Sequence, residues 1–280
     1  MKYHIAHIIP SPELHGLNGY KEVIDTVMWG LERIGHQVSL AVNETSSTAR
    51  NIIFGGQMMS VAEQNQLPPD TIIYNFEQLR GIDNVRAEIK HYASMFQVWD
   101  YSAFNVPAWS SLGPKYPVKY VPVGFAPVLE RIPRPAEQPI DVLIYGLPNQ
   151  PRLGVFNELC KNGLSCVFLC GLYGTDRDDL IAKSKIIVNV SLYPRANIFE
   201  VVRVSYLMAN RKAVVAYVTP NTAIEKDLIG GFQASMIDTL IADVMAIARD
   251  EPLRRELEER GHDRIASRDI RKILAEALSN

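Results

Sequence analysis

Two arginines and a glutamate in the second half of the chain have the types and spacing to hold a charged leaving group. Arg152 follows the strand-like run VLIYG after the short loop LPNQP, and Gly146 closes that run. A cation there either meets a diphosphate or is an ordinary solvated arginine. Glu200 and Arg203 lie one helical turn apart in NIFEVVRV. That spacing serves an i,i+3 ion pair, or equally a sugar hydroxyl and a phosphate. Tyr173, Gly174 and Arg177 stand in the segment after CVFLCG, where ligands approach an open α/β sheet. Asn197 reads as a helix N-cap, which would leave free backbone N–H groups beside Ile198, Phe199 and Glu200 for an anion.

A second set lies in the first half. The turn His15-Gly16-Leu17-Asn18-Gly19-Tyr20 lacks the full G-x-G-x-x-G spacing. Its glycines either satisfy a tight strand-to-helix turn or let a phosphate or sugar approach the helix that follows. Glu77 and Asp100 fall in two aromatic-rich runs, YNFE and VWDYS, at the ends of predicted strands. With Asn75 and Ser102 they would project toward a ligand, or serve the structure; Phe76 and Trp99 read as core. Asp176-Arg177-Asp178-Asp179 has the look of a metal-binding D-x-D. It precedes the helical LIAKSK, however, and reads as a helix cap, so no metal site is expected. Cys160, Cys166 and Cys170 match no common zinc spacing, and Cys166 and Cys170 read as packing residues of the SCVFLC strand. No Ser/His/Asp order, H-E-x-x-H or Walker sequence occurs.

Positioning these residues falls to alternating strands and helices. Strands are predicted at 4–9, 37–42, 51–54, 71–74, 97–99 and 118–121. A helix over 18–34, stopped by Gly35, links the first two. Four prolines among charged residues at 127–139 make a stiff extended linker. The alternation then resumes with strands at 141–145, 165–170, 186–190 and 214–215, and an amphipathic helix over 197–211. Three helices with charged outer faces close the chain. The expected architecture is α/β, with two Rossmann-like domains facing a cleft. They cover residues 1–126 and 127–265, and a helix over 266–280 is free to pack back on the first domain.

The chain has 280 residues, 47% of them hydrophobic, enough for real cores. A formal net charge of −2 with no long single-sign run argues against a protein built chiefly to bind nucleic acid or anionic membrane. The N-terminus MKYHIAHIIP is too short and polar for a signal peptide, and no apolar run approaches a membrane span. A soluble, cytoplasmic protein is expected.

Taken in order, these pieces resemble a GT-B glycosyltransferase of the group 1, family 4-like kind, of the short bacterial type. The opening turn with its helix and the run LERIGHQV resemble that family's N-terminal signature. Val121-Pro122-Val123-Gly124 is similar to its segment at the end of the first domain. Asn197-Ile198-Phe199-Glu200 with ANRKAVV is similar to its donor-site helix and following strand. The resemblance implies GT-B architecture and transfer of a sugar from a UDP-, GDP- or dTDP-sugar, without metal and with retention of configuration. No cofactor beyond that donor is implied. Arg152 matches a basic residue that contacts the diphosphate, and Glu200 is the nearest match to a glutamate that contacts sugar or ribose. Gly146, Tyr173, Gly174, Arg177 and residues 197–200 would line the donor site, with Arg203 beside them. His15, Gly16, Asn18, Gly19, Tyr20, Glu77 and Asp100 would face a small-molecule, lipid-linked or glycan acceptor, and peripheral membrane contact stays open. The family's second glutamate, however, falls on Tyr206 or Met208, and its usual glycine before the next strand is Arg211. These departures leave two alternatives standing: a nucleotide- or sugar-binding partner protein without turnover, and a nucleotide-sugar epimerase.

Overall fold

The computed structural model describes residues 1–9, 19–82, 84–193 and 197–279, which form two compact units. The first comprises Met1–Ala126 and Asp269–Asn280, the second Pro127–Arg268. Each is a parallel sheet with helices, as β-branched runs buried on both faces require.

In the first unit the strands are β1 (Lys2–His7), β2 (Gln37–Val42), β3 (Arg50–Phe54), β4 (Ile72–Asn75), β5 (Gln97–Asp100) and the short β6 (Lys119–Tyr120). Their order is β2-β1-β3-β4-β5-β6, every pair parallel. The chain thus moves from β1 to β2 on one side and returns to β3 on the other, which makes a switch point between β1 and β3. Helix α1 (Lys21–Arg33) begins three residues later than its periodicity predicted. Three short helices follow: α2 (Val61–Gln64), α3 (Ala87–Met95) and α4 (Val106–Ser110). Ile53, Ile73, Val98, Tyr92 and Trp109, each no more than 1% exposed, centre one core.

The second unit repeats the plan with β7 (Ile140–Tyr145), α5 (Gln150–Lys161), β8 (Cys166–Leu169), α6 (Gly174–Ala182), β9 (Ser184–Asn189), α7 (Val201–Ala209), β10 (Ala213–Tyr217) and β11 (Gln233–Ser235). Its order, β11-β10-β9-β7-β8, is again all parallel, with a switch point between β7 and β9. Helices α8 (Leu240–Arg249) and α9 (Glu251–Ala266) cover it, over a core built on Val142, Ile186, Val188 and Val215.

Helix α10 (Ile270–Leu278) belongs to the first unit. Phe125 accepts from the Ile270 amide at 3.2 Å, and Lys119 Nζ donates to the Ala277 carbonyl at 2.7 Å. Gly30 of α1 lets α10 approach closely, because a Cβ there would lie 2.7 Å from Leu274. Among the described residues no helix is long and apolar enough to cross a membrane.

Two predicted helix starts are corrected. Helix α7 begins at Val201, not at Asn197. The Phe199 amide donates to Ala223 O at 3.1 Å and the Ala223 amide to Asn197 O at 2.7 Å, so residues 197–199 pair with the segment after β10 instead of winding. The Phe199 ring also stacks on Phe232 at 4.3 Å. In α6 the aspartates do not cap. Tyr173 holds the N-cap position, and Gly174, at φ +64, makes the left-handed entry that a side chain would strain.

Candidate functional site

At the switch point of the second unit, Arg152 is fixed by its own helix start. Asn149 N-caps α5, its Oδ1 accepting from the Arg152 amide at 2.9 Å while its Nδ2 donates to the carbonyls of Ser191 (3.2 Å) and Leu192 (2.7 Å). Arg152 is 1% exposed. Its Nε donates to Val190 O and its Nη1 to Leu147 O, both at 2.7 Å, so one guanidinium bridges the ends of β9 and β7. Gly146, at φ +127, is what admits it: a Cβ there would lie 2.7 Å from Arg152 Nη1 and 3.2 Å from Arg203 Nη2.

Glu200 stands between the two guanidiniums, 3.8 Å from Arg152 Nη2 and 3.1 Å from Arg203 Nη1. Arg203 also donates to Asn189 Oδ1 at 3.1 Å and lies over the Tyr145 ring at 4.9 Å. Burial, and after it the charge of Arg203, lowers the Arg152 pKa; Glu200 and Cys170 pull the other way. Two cations thus share one carboxylate. Arg152 Nη2 and Glu200 Oε2 are both buried without a hydrogen-bond partner. A buried polar atom left so costs roughly 1–3 kcal/mol, more where the group is charged, and each such atom calls for an explanation. An anion accepting from Arg152 Nη2 supplies one.

Tyr173 lies within the electrostatic reach of both Arg203 and Arg177, although burial is the main cause of its raised pKa. Arg177 lies within helix α6 and not on the loop that its sequence position predicted. It is 6% exposed and donates to Asp178 Oδ1 from Nε (3.0 Å) and Nη2 (2.8 Å). Tyr206 lies between its guanidinium (5.0 Å from the ring) and that of Arg131 (5.2 Å). The Tyr206 hydroxyl donates to Asp178 Oδ2 at 2.6 Å and accepts from Arg131 Nε at 3.0 Å. Asp178 is therefore engaged inward, away from the metal role that D-x-D implies. Ile198 and Phe199 are 3% and 5% exposed, and with Phe199 N–H spent on Ala223 the expected row of free helix-start amides does not form. Asn149, Asn189 and Tyr145 are the participants that sequence reasoning missed. An asparagine ahead of Gln150-Pro151 is a readable N-cap signal; nothing local marks the other two.

In the first unit, His15, Gly16 and Asn18 lie outside the described residues. Gly19 is described, and nothing within 4 Å would meet a Cβ there. Asp100 does not project outward. It is 0% exposed, and its carboxylate accepts from Asn75 Nδ2 (2.8 Å), Asn105 Nδ2 (3.1 and 3.2 Å), Trp109 Nε1 (2.7 Å) and the Ser102 amide (2.8 Å). Burial outweighs those donors and pushes its pKa up to about 6. Asn75 and Ser102 are buried with it at 1% each. Glu77 alone of that set stays partly exposed, with Gln57 Nε2 donating to its Oε1 at 2.8 Å. Tyr20 packs against Phe76 at 5.1 Å and Phe54 at 6.3 Å.

No protein-family model and no curated protein matches the sequence. Solved structures do. The glycosyltransferase-fold protein HepE of Anabaena, crystallised with UDP-glucose, superposes with a TM-score of 0.68 at 12% identity over 100% of this chain and 99% of that one. The fold is GT-B. Sucrose-phosphate synthase from Thermosynechococcus elongatus (TM-score 0.62, 12% identity, 100% and 98% covered) has the same GT-B plan. So has WaaG, a glycosyltransferase involved in lipopolysaccharide biosynthesis (TM-score 0.57, 10% identity, 99% and 98% covered). In this GT-B chain the Arg152, Glu200 and Arg203 group occupies the carboxyl ends of β7 and β9, where doubly wound sheets take ligands.

Proposed function

We propose that this protein is a glycosyltransferase that moves a sugar from a nucleoside-diphosphate sugar to an acceptor hydroxyl. The observation that carries the reading is Arg152, a buried guanidinium with an unpartnered Nη2 beside a second arginine at a switch point. In such a transfer the bond from the anomeric carbon to the diphosphate breaks as the acceptor oxygen bonds to that carbon. Negative charge grows on the departing diphosphate. Arg152 and Arg203 would stabilise it from fixed positions, which lowers the barrier because no dipoles need reorganise at that moment. Glu200 holds both guanidiniums in register, its Oε2 paired with Arg203 at 3.1 Å, and its carboxylate would accept from a hydroxyl of the donor. Guanidiniums in this role support transfer without metal, and retention follows from the family resemblance. UDP is the first donor nucleotide to test, since HepE was crystallised with it.

A second reading rests on Tyr206. Neither position onto which the family's second glutamate falls, Tyr206 or Met208, offers a carboxylate, and the Tyr206 phenol donates to Asp178, which favours a protein that binds nucleotide without turning it over.

A thermal-shift screen with UDP, GDP, ADP, dTDP and CMP tests both. A nucleotide at a hundred times its Kd stabilises by about 2.7 kcal/mol. Stabilisation of the wild type that Arg203→Ala abolishes supports the donor site. Release of nucleotide from the donor sugar onto an acceptor then separates transferase from binder. No response to any nucleotide overturns both readings.

A further inference from the structure

A buried polar network in the first unit ends on one carboxylate. The Glu77 amide donates to Asn75 Oδ1 at 3.2 Å, and the Glu77 carbonyl accepts from Asn75 Nδ2 and Asn105 Nδ2, both at 2.9 Å. Asn75 and Asn105 are held in turn by Asp100, and Tyr92 donates to Asn75 Oδ1 at 3.0 Å. Every member of that support is at most 1% exposed. A buried network with a carboxylate at its centre is costly unless fully satisfied, and this one is satisfied. What it fixes at the surface is Glu77.

The side chain is equally constrained. Gln57, 3% exposed, occupies Oε1 and lies beside the Tyr20 hydroxyl, whereas Oε2 takes no hydrogen bond among the described residues. Phe76 and Tyr20, both partly exposed, make the adjoining wall. A held carboxylate with one open oxygen accepts an O–H and repels a phosphate. Aromatic rings beside it suit the apolar C–H flank of a sugar.

We infer that Glu77, with Gln57, Tyr20 and Phe76, forms a subsite for a neutral sugar, binding one of its hydroxyls through the open carboxylate oxygen. The inference deepens the transfer reading above by making the acceptor end a neutral glycan, in preference to a phosphorylated headgroup. Asp100, Asn75 and Asn105 are positioning residues for Glu77.

The test is saturation-transfer NMR with the methyl glycosides of glucose, galactose and mannose, and with glucose 6-phosphate, on wild type, Glu77→Gln and Glu77→Ala. The expected result is saturation of at least one neutral glycoside, weaker saturation of the phosphate, and about tenfold weaker binding in Glu77→Gln, the worth of one charge-assisted hydrogen bond. The wild-type UDP thermal response should survive in Glu77→Gln, which also certifies its fold. If Glu77→Gln does not fold, Glu77→Ala carries the same comparison. Absence of glycoside binding, equal binding in the variants, or preference for the phosphate overturns the subsite. Sugar binding without any nucleotide response would leave the subsite standing and remove the donor reading, so the two failures are distinct.

Discussion

At the scale of single residues, burial decides which polar groups are structural and which are available. Asp100 and Glu77 look alike in sequence, each acidic and each at the end of an aromatic strand. Asp100 is enclosed by donors, and Glu77 keeps one oxygen open. Asp100 carries a pH signature. Its pKa in the fold, about 6, exceeds the unfolded value of about 4, so the folded state holds the proton more tightly. That contribution is present in full below pH 4 and lost as pH rises through about 6, by roughly 2–3 kcal/mol. Asp100→Asn removes the titration and turns an amide N–H₂ against surrounding donors. It should destabilise by about 3 kcal/mol at pH 4, with the deficit against wild type shrinking toward pH 7. Urea denaturation across that range reads it, and a pH-independent deficit would refute the assignment. At the other site, Arg203→Ala should cost little stability, since Arg203 is partly exposed, yet weaken nucleoside-diphosphate binding at least tenfold by titration calorimetry.

At the scale of elements, two of the positions that call for glycine-like backbone are met differently. Gly146 has a positive φ and a neighbour already 2.7 Å from where a Cβ would sit. Gly146→Ala should therefore cost roughly 2 kcal/mol or more and push Arg152 off its carbonyls, so that loss of stability and of nucleotide response appear together. Arg211 ends α7 at φ 50, a conformation that ordinarily selects glycine. Its guanidinium compensates by pairing with Glu130 and Glu259, each at 2.9 Å. Arg211→Ala keeps the strain and loses the pairs, whereas Arg211→Gly loses the pairs and relieves the strain. The glycine variant should be the more stable of the two by about 1 kcal/mol in chemical denaturation. The strands other than β11, and the parallel plan, were legible because β-branched runs such as Ile186-Ile187-Val188 admit few other readings; the three-residue β11, Gln233–Ser235, carries no such run. The start of α7 was not, because the pairing of residues 197–199 with Ala223 is a contact between remote segments that no local pattern announces. The same holds for Asp100: position along the chain placed it near ligand, and only its partners show that it is engaged inward.

At the scale of the whole molecule, the first unit is discontinuous in sequence. The chain leaves it at Ala126 and returns at Asp269 to add α10 against α1. The apolar spacing of Ile270, Leu274 and Ala277, all buried, makes α10 amphipathic, and Leu274 at 0% exposure meets the groove that Gly30 leaves open. A wild-type-sized side chain is needed there because the helix has few other anchors: the Phe125 bridge, Lys119 on its last turn, and Arg271 over the Trp29 ring at 5.8 Å. Leu274→Ala should cost about 2–5 kcal/mol, the range for emptying a buried leucine site. The effect should be confined to the unit that α10 completes. Native-state hydrogen exchange should accelerate in α1 and α10 while the amides of β7 and β9 keep their wild-type rates, and UDP should still protect the Arg152 helix. Uniform acceleration in both units would instead mean that the molecule unfolds as one cooperative body.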